Sequence, residues 1–109
     1  MEKLSNNSTL SELVDQLVSN IASTAIVQVL NDKDYHLDLI EDDQKGQIFT
    51  YYCKSDFEHK LLLSNDADYL TICLQPWYSK YQQTLVYVEP SEINAISIES
   101  IKAMVLKAI

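Results

Sequence analysis

Tyr35-His36-Leu37-Asp38-Leu39-Ile40, Glu41-Asp42-Asp43-Gln44-Lys45-Gly46 and Gln47-Ile48-Phe49-Thr50-Tyr51-Tyr52-Cys53 follow one another directly. The first block alternates, with Tyr35, Leu37 and Leu39 on one face and His36 and Asp38 on the other, the two-residue period of a half-buried strand. The second is a polar run closed by the only glycine of the chain. The third is dense in β-branched and aromatic residues, which suit a pleated surface. Gly46 takes positive φ at little cost, so a hairpin joining the two strands is expected. Tyr51 and Tyr52 are adjacent, so one should point to each face of the sheet.

The same pattern continues downstream. Phe57, His59, Leu61 and Leu63 alternate with Glu58, Lys60 and Leu62. Ser55 and Glu58 also have capping-box spacing, and Phe57 would meet Leu61 on a helix. A strand is preferred, because Ser64-Asn65-Asp66-Ala67 reads as a turn into another alternating run, Tyr69 to Leu74. Leu70, Ile72 and Leu74 share one face of that run. Gln75 to Gln83 interrupts with Pro76, and Thr84 to Val88 is the last strand, closed by Pro90. Short connections favour antiparallel neighbours, since parallel strands need long crossovers.

Upstream, residues 1–8 are read as a flexible tail and residues 9–109 as a single domain. Thr9 and Glu12 have capping-box spacing ahead of Leu10, Leu13, Val14, Leu17, Val18 and Ile21, which recur at steps of three and four. An amphipathic helix over about 10–24 is expected, its stripe covering the sheet. Ile26 to Leu30 leaves that stripe and is read as a strand, the alternative being a longer helix ending at Asn31. At the other end, Ser97 is a plausible N-cap, and Ile98, Ile101, Val105 and Ile109 line one helical face. Glu99 and Lys107 suit the two ends of the helix dipole. Residues 91–96 are too short a pattern to assign. The fold class is therefore α+β: an antiparallel sheet of five to six short strands, with an N-terminal and a C-terminal helix packed on one face.

Composition removes several function classes. Sixteen acids face eight bases, a net charge of −8, and every base is lysine. Without arginine the chain lacks the usual bidentate reader of phosphate and guanine, and its net charge repels a nucleic-acid backbone. Direct nucleic-acid binding and membrane-surface binding are not expected. The N-terminal residues lack an apolar signal core, and no apolar run approaches the ~18 residues of a membrane span, so a cytoplasmic protein is expected. Cys53 and Cys73 form no CxxC or Cys/His cluster and are expected as reduced thiols.

No catalytic, metal or cofactor motif is present. One glycine rules out G-x-G-x-x-G and the P-loop. Asp32, Asp34, Asp38, Glu41, Asp42 and Asp43 superficially have calcium-loop spacing, but Leu37 stands where an EF-hand needs glycine and Asp43 where it needs glutamate. His36 and His59 have no second histidine or cysteine close in sequence. Two features point instead to a macromolecular contact. Asp32, Asp34, Asp42 and Asp43 belong to an acidic stretch suited to a basic partner surface. Trp77, Tyr78 and Tyr81 crowd one loop with the residue types that dominate binding hot spots.

In size, charge and element order the chain is similar to small acidic export chaperones and to small phage or immunity inhibitors, a likeness that covers no motif. The expected function is that of a non-enzymatic interaction protein, binding a protein partner through those seven residues. It would act as an inhibitor or immunity-type protein that masks a basic surface. A homodimeric structural, assembly or adaptor module is one alternative. A small enzyme or ligand-binding domain, its site assembled from distant residues such as His36 or His59 beside a carboxylate, is the other.

Overall fold

The computed structural model describes residues 2–43, 46–54, 57–66, 69–89 and 96–109, with the side chains of the first helix from Gln16 onward. The elements follow the order α1 (Glu2–Asp32), β1 (His36–Asp43), β2 (Gly46–Tyr52), β3 (Glu58–Asp66), β4 (Tyr69–Gln75), β5 (Gln83–Val88) and α2 (Ile98–Ala108). The strands form one antiparallel meander, β1-β2-β3-β4-β5. Both helices pack on one face of it, an α+β fold in two layers.

Register explains the core. Phe49 faces Leu61, Leu61 faces Leu74, Leu63 faces Ile72, and Leu70 faces Val88, so the inward side chains of neighbouring strands lie in rows. Val18, Ala22, Ala25, Ile26, Val29 and Leu30 of α1, with Ile101 and Val105 of α2, close over those rows. Of the two tyrosines, Tyr51 is the buried one and Tyr52 points the other way. Ser97 caps α2 as the spacing implies: its Oγ accepts from the Ser100 amide at 3.1 Å, and Ser100 Oγ accepts from the Ser97 amide at 3.0 Å.

Four expectations need correction. Residues 26–30 are helical, because α1 continues to Asp32. Ile26, Val29 and Leu30 join Val18 on a stripe completed by Ala22 and Ala25. Both alanines are fully buried. The stripe is rotated by roughly 100° from the Leu10–Ile21 stripe, and Leu17 is 60% exposed. The helix also begins at Glu2, so Thr9 and Glu12 lie within it rather than capping it, and its backbone takes in residues 2–8.

The third correction concerns β1, where a bulge between Leu37 and Leu39 shifts the pairing. Leu37 packs on the core, whereas Leu39 faces Thr50 on the outer side and is 48% exposed. The fourth is Gly46, which does not take positive φ. It opens β2 opposite Ser64, where a Cβ would overlap the Leu63 carbonyl. Close backbone approach, not turn conformation, requires glycine there.

The end of α1 sets the start of the sheet. The Tyr35 amide donates to the Leu30 carbonyl at 2.9 Å and the Asp34 amide to the Asn31 carbonyl at 3.0 Å, with Asp34 at φ 60°. This is the paired-bond helix terminus in which one left-handed residue reverses the chain. Tyr35 then folds back beside the core. Aspartate tolerates that conformation better than most residues, but glycine does so without penalty. Asp34→Gly should therefore raise stability by up to about 1 kcal/mol, and Asp34→Val should lower it by about 1–2 kcal/mol. Thermal unfolding of both variants reads the pair of signs.

Candidate functional site

The meander sorts the loops into two groups. The α1–β1 turn, the β2–β3 connection, the β4–β5 connection and the end of α2 lie at one end of the sheet. The β1–β2 and β3–β4 connections and the start of α2 lie at the other. Trp77, Tyr78 and Tyr81 are in the β4–β5 connection, so they occupy the first end. Asp32 and Asp34 share that end, whereas Asp42 and Asp43 stand at the far end of β1. Eight residues at ~3.3 Å each place Asp42 roughly 25 Å from Asp34.

The aromatic loop is held by its own hydrogen bonds. The Ser79 amide donates to the Pro76 carbonyl at 3.2 Å, a turn with Trp77 and Tyr78 at its centre. Ser79 Oγ accepts from the Tyr81 amide at 3.0 Å. The rings point outward: Trp77 is 52%, Tyr78 73% and Tyr81 86% exposed. Trp77 stacks on Phe57, with ring centroids 3.9 Å apart and planes 11° from parallel, and meets Tyr78 edge-on at 5.8 Å. Phe57 was expected on the inner face of β3. It precedes the strand and turns out to stack on Trp77 instead. Sequence gave no sign of that contact, since the partners are twenty residues apart on different connections.

The acids are spread rather than gathered. Asp32 forms an ion pair with Lys102 of α2 at 3.1 Å. Asp34 has the helix-terminating role described above. Asp42 is exposed and its Oδ1 accepts from Gln47 Nε2 at 3.5 Å. Asp43 ends β1 beside Gly46, and its side chain lies outside the described residues. The aromatic end also carries Lys33, Lys54 and Lys80, so it is mixed in charge, while Glu41, Asp42 and Glu89 lie towards the other end. Among the described residues no three candidate metal ligands converge.

His36 and His59 are placed differently. His36 lies on the outer side of the edge strand, its ring 6.4 Å from that of Tyr52. His59 faces inward and lines a cleft of about 190 Å³ with Tyr35, Tyr51, Cys53, Leu74, Pro76, Tyr78, Ala108 and Ile109. Among the described residues lining the cleft there is no Asp or Glu to pair with His59. Burial holds the His59 imidazole below its ordinary value. A histidine whose pKa is lower folded than unfolded binds more protons in the unfolded chain. Its contribution is fully present above about pH 6.5 and is lost as pH falls through that value to the folded pKa. Lowering pH from 7.5 to 5.5 should therefore destabilise the protein more than it destabilises His59→Phe. Equal melting-temperature losses would show that His59 is not desolvated.

The outer face of the sheet is not covered by any described element. Leu39, Tyr69 and Tyr87 are exposed there, the two tyrosines stacked at 5.3 Å, and Ile48 and Leu62 are half-buried beside them. Cys53 and Cys73 are free thiols. Among the described residues no helix is long and apolar enough to cross a membrane. In comparisons with known proteins, no family model, curated protein or solved structure matches this chain.

Proposed function

We propose that this protein is a non-enzymatic interaction protein that binds a protein partner, in the manner of an inhibitor or immunity protein. The observation that carries the reading is the Trp77–Phe57 stack, solvent-facing and flanked by Tyr78 and Tyr81. Tryptophan and tyrosine present large contact area at low entropic cost, and a ring already held by a neighbour loses less freedom on binding. Net charge of −8 and the exposed carboxylates of Glu41 and Asp42 favour a partner with a basic surface, acting on encounter rate more than on final affinity. The cytoplasm is the compartment we assign, in keeping with two unpaired thiols.

The test is affinity capture from the native host, followed by binding kinetics with the purified partner. Asp42→Lys with Asp43→Lys should slow association, and the deficit should shrink as salt is raised. Unchanged kinetics in both this pair and a Trp77→Ala variant would remove the reading. A homodimeric module is the second reading, favoured by the uncovered outer face with its Tyr69–Tyr87 pair. Light scattering at micromolar concentration decides it, a clean monomer excluding self-association as the main role.

A further inference from the structure

We propose that the cleft between the end of the sheet and the end of α2 binds a small uncharged aromatic ring bearing one hydrogen-bonding group.

Three features of the cleft select that chemistry. Shape comes first. One wall is a row of rings across three adjoining segments, Tyr35 to Tyr51 at 5.9 Å and 13°, and Tyr51 to His59 at 5.5 Å and 26°. Leu74, Pro76 and Tyr78 stand on the β4 side, and Ala108 and Ile109 border it from α2. Flat faces near-parallel to one another favour a flat guest in offset or edge contact.

Size is the second feature. A cleft of about 190 Å³ is close to the ~150 Å³ apolar cavity known to admit benzene, and below the ~300–1,000 Å³ of sites for larger ligands. It fits one ring or a small fused pair.

Charge is the third. This chain carries sixteen acids and eight lysines, yet among the described residues no charged side chain lines the cleft, although the charge of Lys33 acts on Cys53. The polar side chains among the described lining residues are three phenols, one thiol and one imidazole. The Tyr35 hydroxyl and the Cys53 thiol are close enough to influence each other's titration. Burial raises the Tyr35, Tyr51 and Cys53 pKa values and lowers that of His59, so all four are uncharged near neutral pH. A charged guest would exchange its hydration for groups that cannot balance it. A neutral hydroxyl or N–H group would find both donors and acceptors.

Phenol is the probe, with benzoate and benzylammonium as charged analogues of the same ring, followed by amide chemical-shift titration of the full chain. We expect saturable shifts at Tyr51, Cys53, His59, Leu74 and Ile109, and at least tenfold weaker binding of both charged rings. Ala108→Phe, on an exposed helical position bordering the cleft, should weaken phenol at least tenfold while leaving the sheet amides in place. Shifts that never saturate, shifts confined to Trp77 and Tyr81, equal binding of benzoate, or an unaffected Ala108→Phe variant would each overturn the proposal. A partner's own tyrosine or tryptophan offers the same ring. Release of captured partner by saturating phenol would identify that source, and undisturbed capture would identify a free small molecule. Loss of capture in Trp77→Ala with phenol binding intact separates failure of the cleft from failure of the partner surface.

Discussion

Trp77→Ala is expected to weaken binding of the proposed protein partner by thirtyfold or more while leaving the melting temperature within a few degrees. Truncating a hot-spot tryptophan costs about 2–4 kcal/mol of binding free energy, and each 1.4 kcal/mol is tenfold. The small stability change follows from the position. Trp77 sits in a turn between strands, is more than half exposed, and touches the fold chiefly through Phe57 and Tyr78. Phe57→Ala should give a smaller loss, because it removes the support and not the anchor. Tyr81→Ala, with no ring neighbour at stacking distance among the described residues, should give a smaller loss still. The rank order Trp77, Phe57, Tyr81 is the signature to look for in dissociation rates. A flat response across the three, with capture retained, would place the contact elsewhere on the molecule.

Phe49→Ala is expected to remove a large part of the stability of the fold. Phe49 is completely buried in β2, facing Ile40 on one side and Leu61 on the other, beneath the helices. Truncating a buried phenylalanine costs about 3–5 kcal/mol, against about 5–15 kcal/mol for an entire domain. Urea unfolding should show a midpoint lower by roughly 2 M at unchanged slope, given about 1–3 kcal/mol per molar for small proteins. Leu39→Ala is the informative contrast. The bulge in β1 puts Leu39 on the outer face, so its truncation should cost less than about 1 kcal/mol. Comparable losses from Leu39 and Phe49 would mean that β1 pairs without the bulge.

Much of the sheet could be read from spacing because its interior obeys strict alternation. His59, Leu61 and Leu63, then Leu70, Ile72 and Leu74, point inward as the two-residue period requires. Alternation fails where an extra residue enters a strand. Asp38 in β1 and Leu85 in β5 lie at such shifts, and nothing in their neighbours announces a bulge. The first helix departs from its N-terminal periodicity for a related reason. Its N-terminal apolar residues form one stripe and its C-terminal ones another, and the structure describes the second against the sheet. Ala22 and Ala25 carry the second stripe from Val18 to Val29.

The candidate site divides along the same line. Exposure of Tyr78 and Tyr81 follows from their place in a proline-bearing connection between two strands. The stacking of Phe57 on Trp77, and the cleft behind Tyr78, depend on which connections share an end of the meander.

By itself, the order of residues determined the strands between residues 35 and 88, that neighbours run antiparallel, where α2 begins, and that three rings occupy one loop. These are local properties, carried by periodicity, capping and turn chemistry within about ten residues. Only the tertiary structure decided that α1 continues through residues 26–30, that Asp42 stands far from the aromatic end, and that His59, Cys53 and Ile109 meet. Such placements follow from pairing register and helix docking, where burial of apolar surface across the whole chain outweighs local preference.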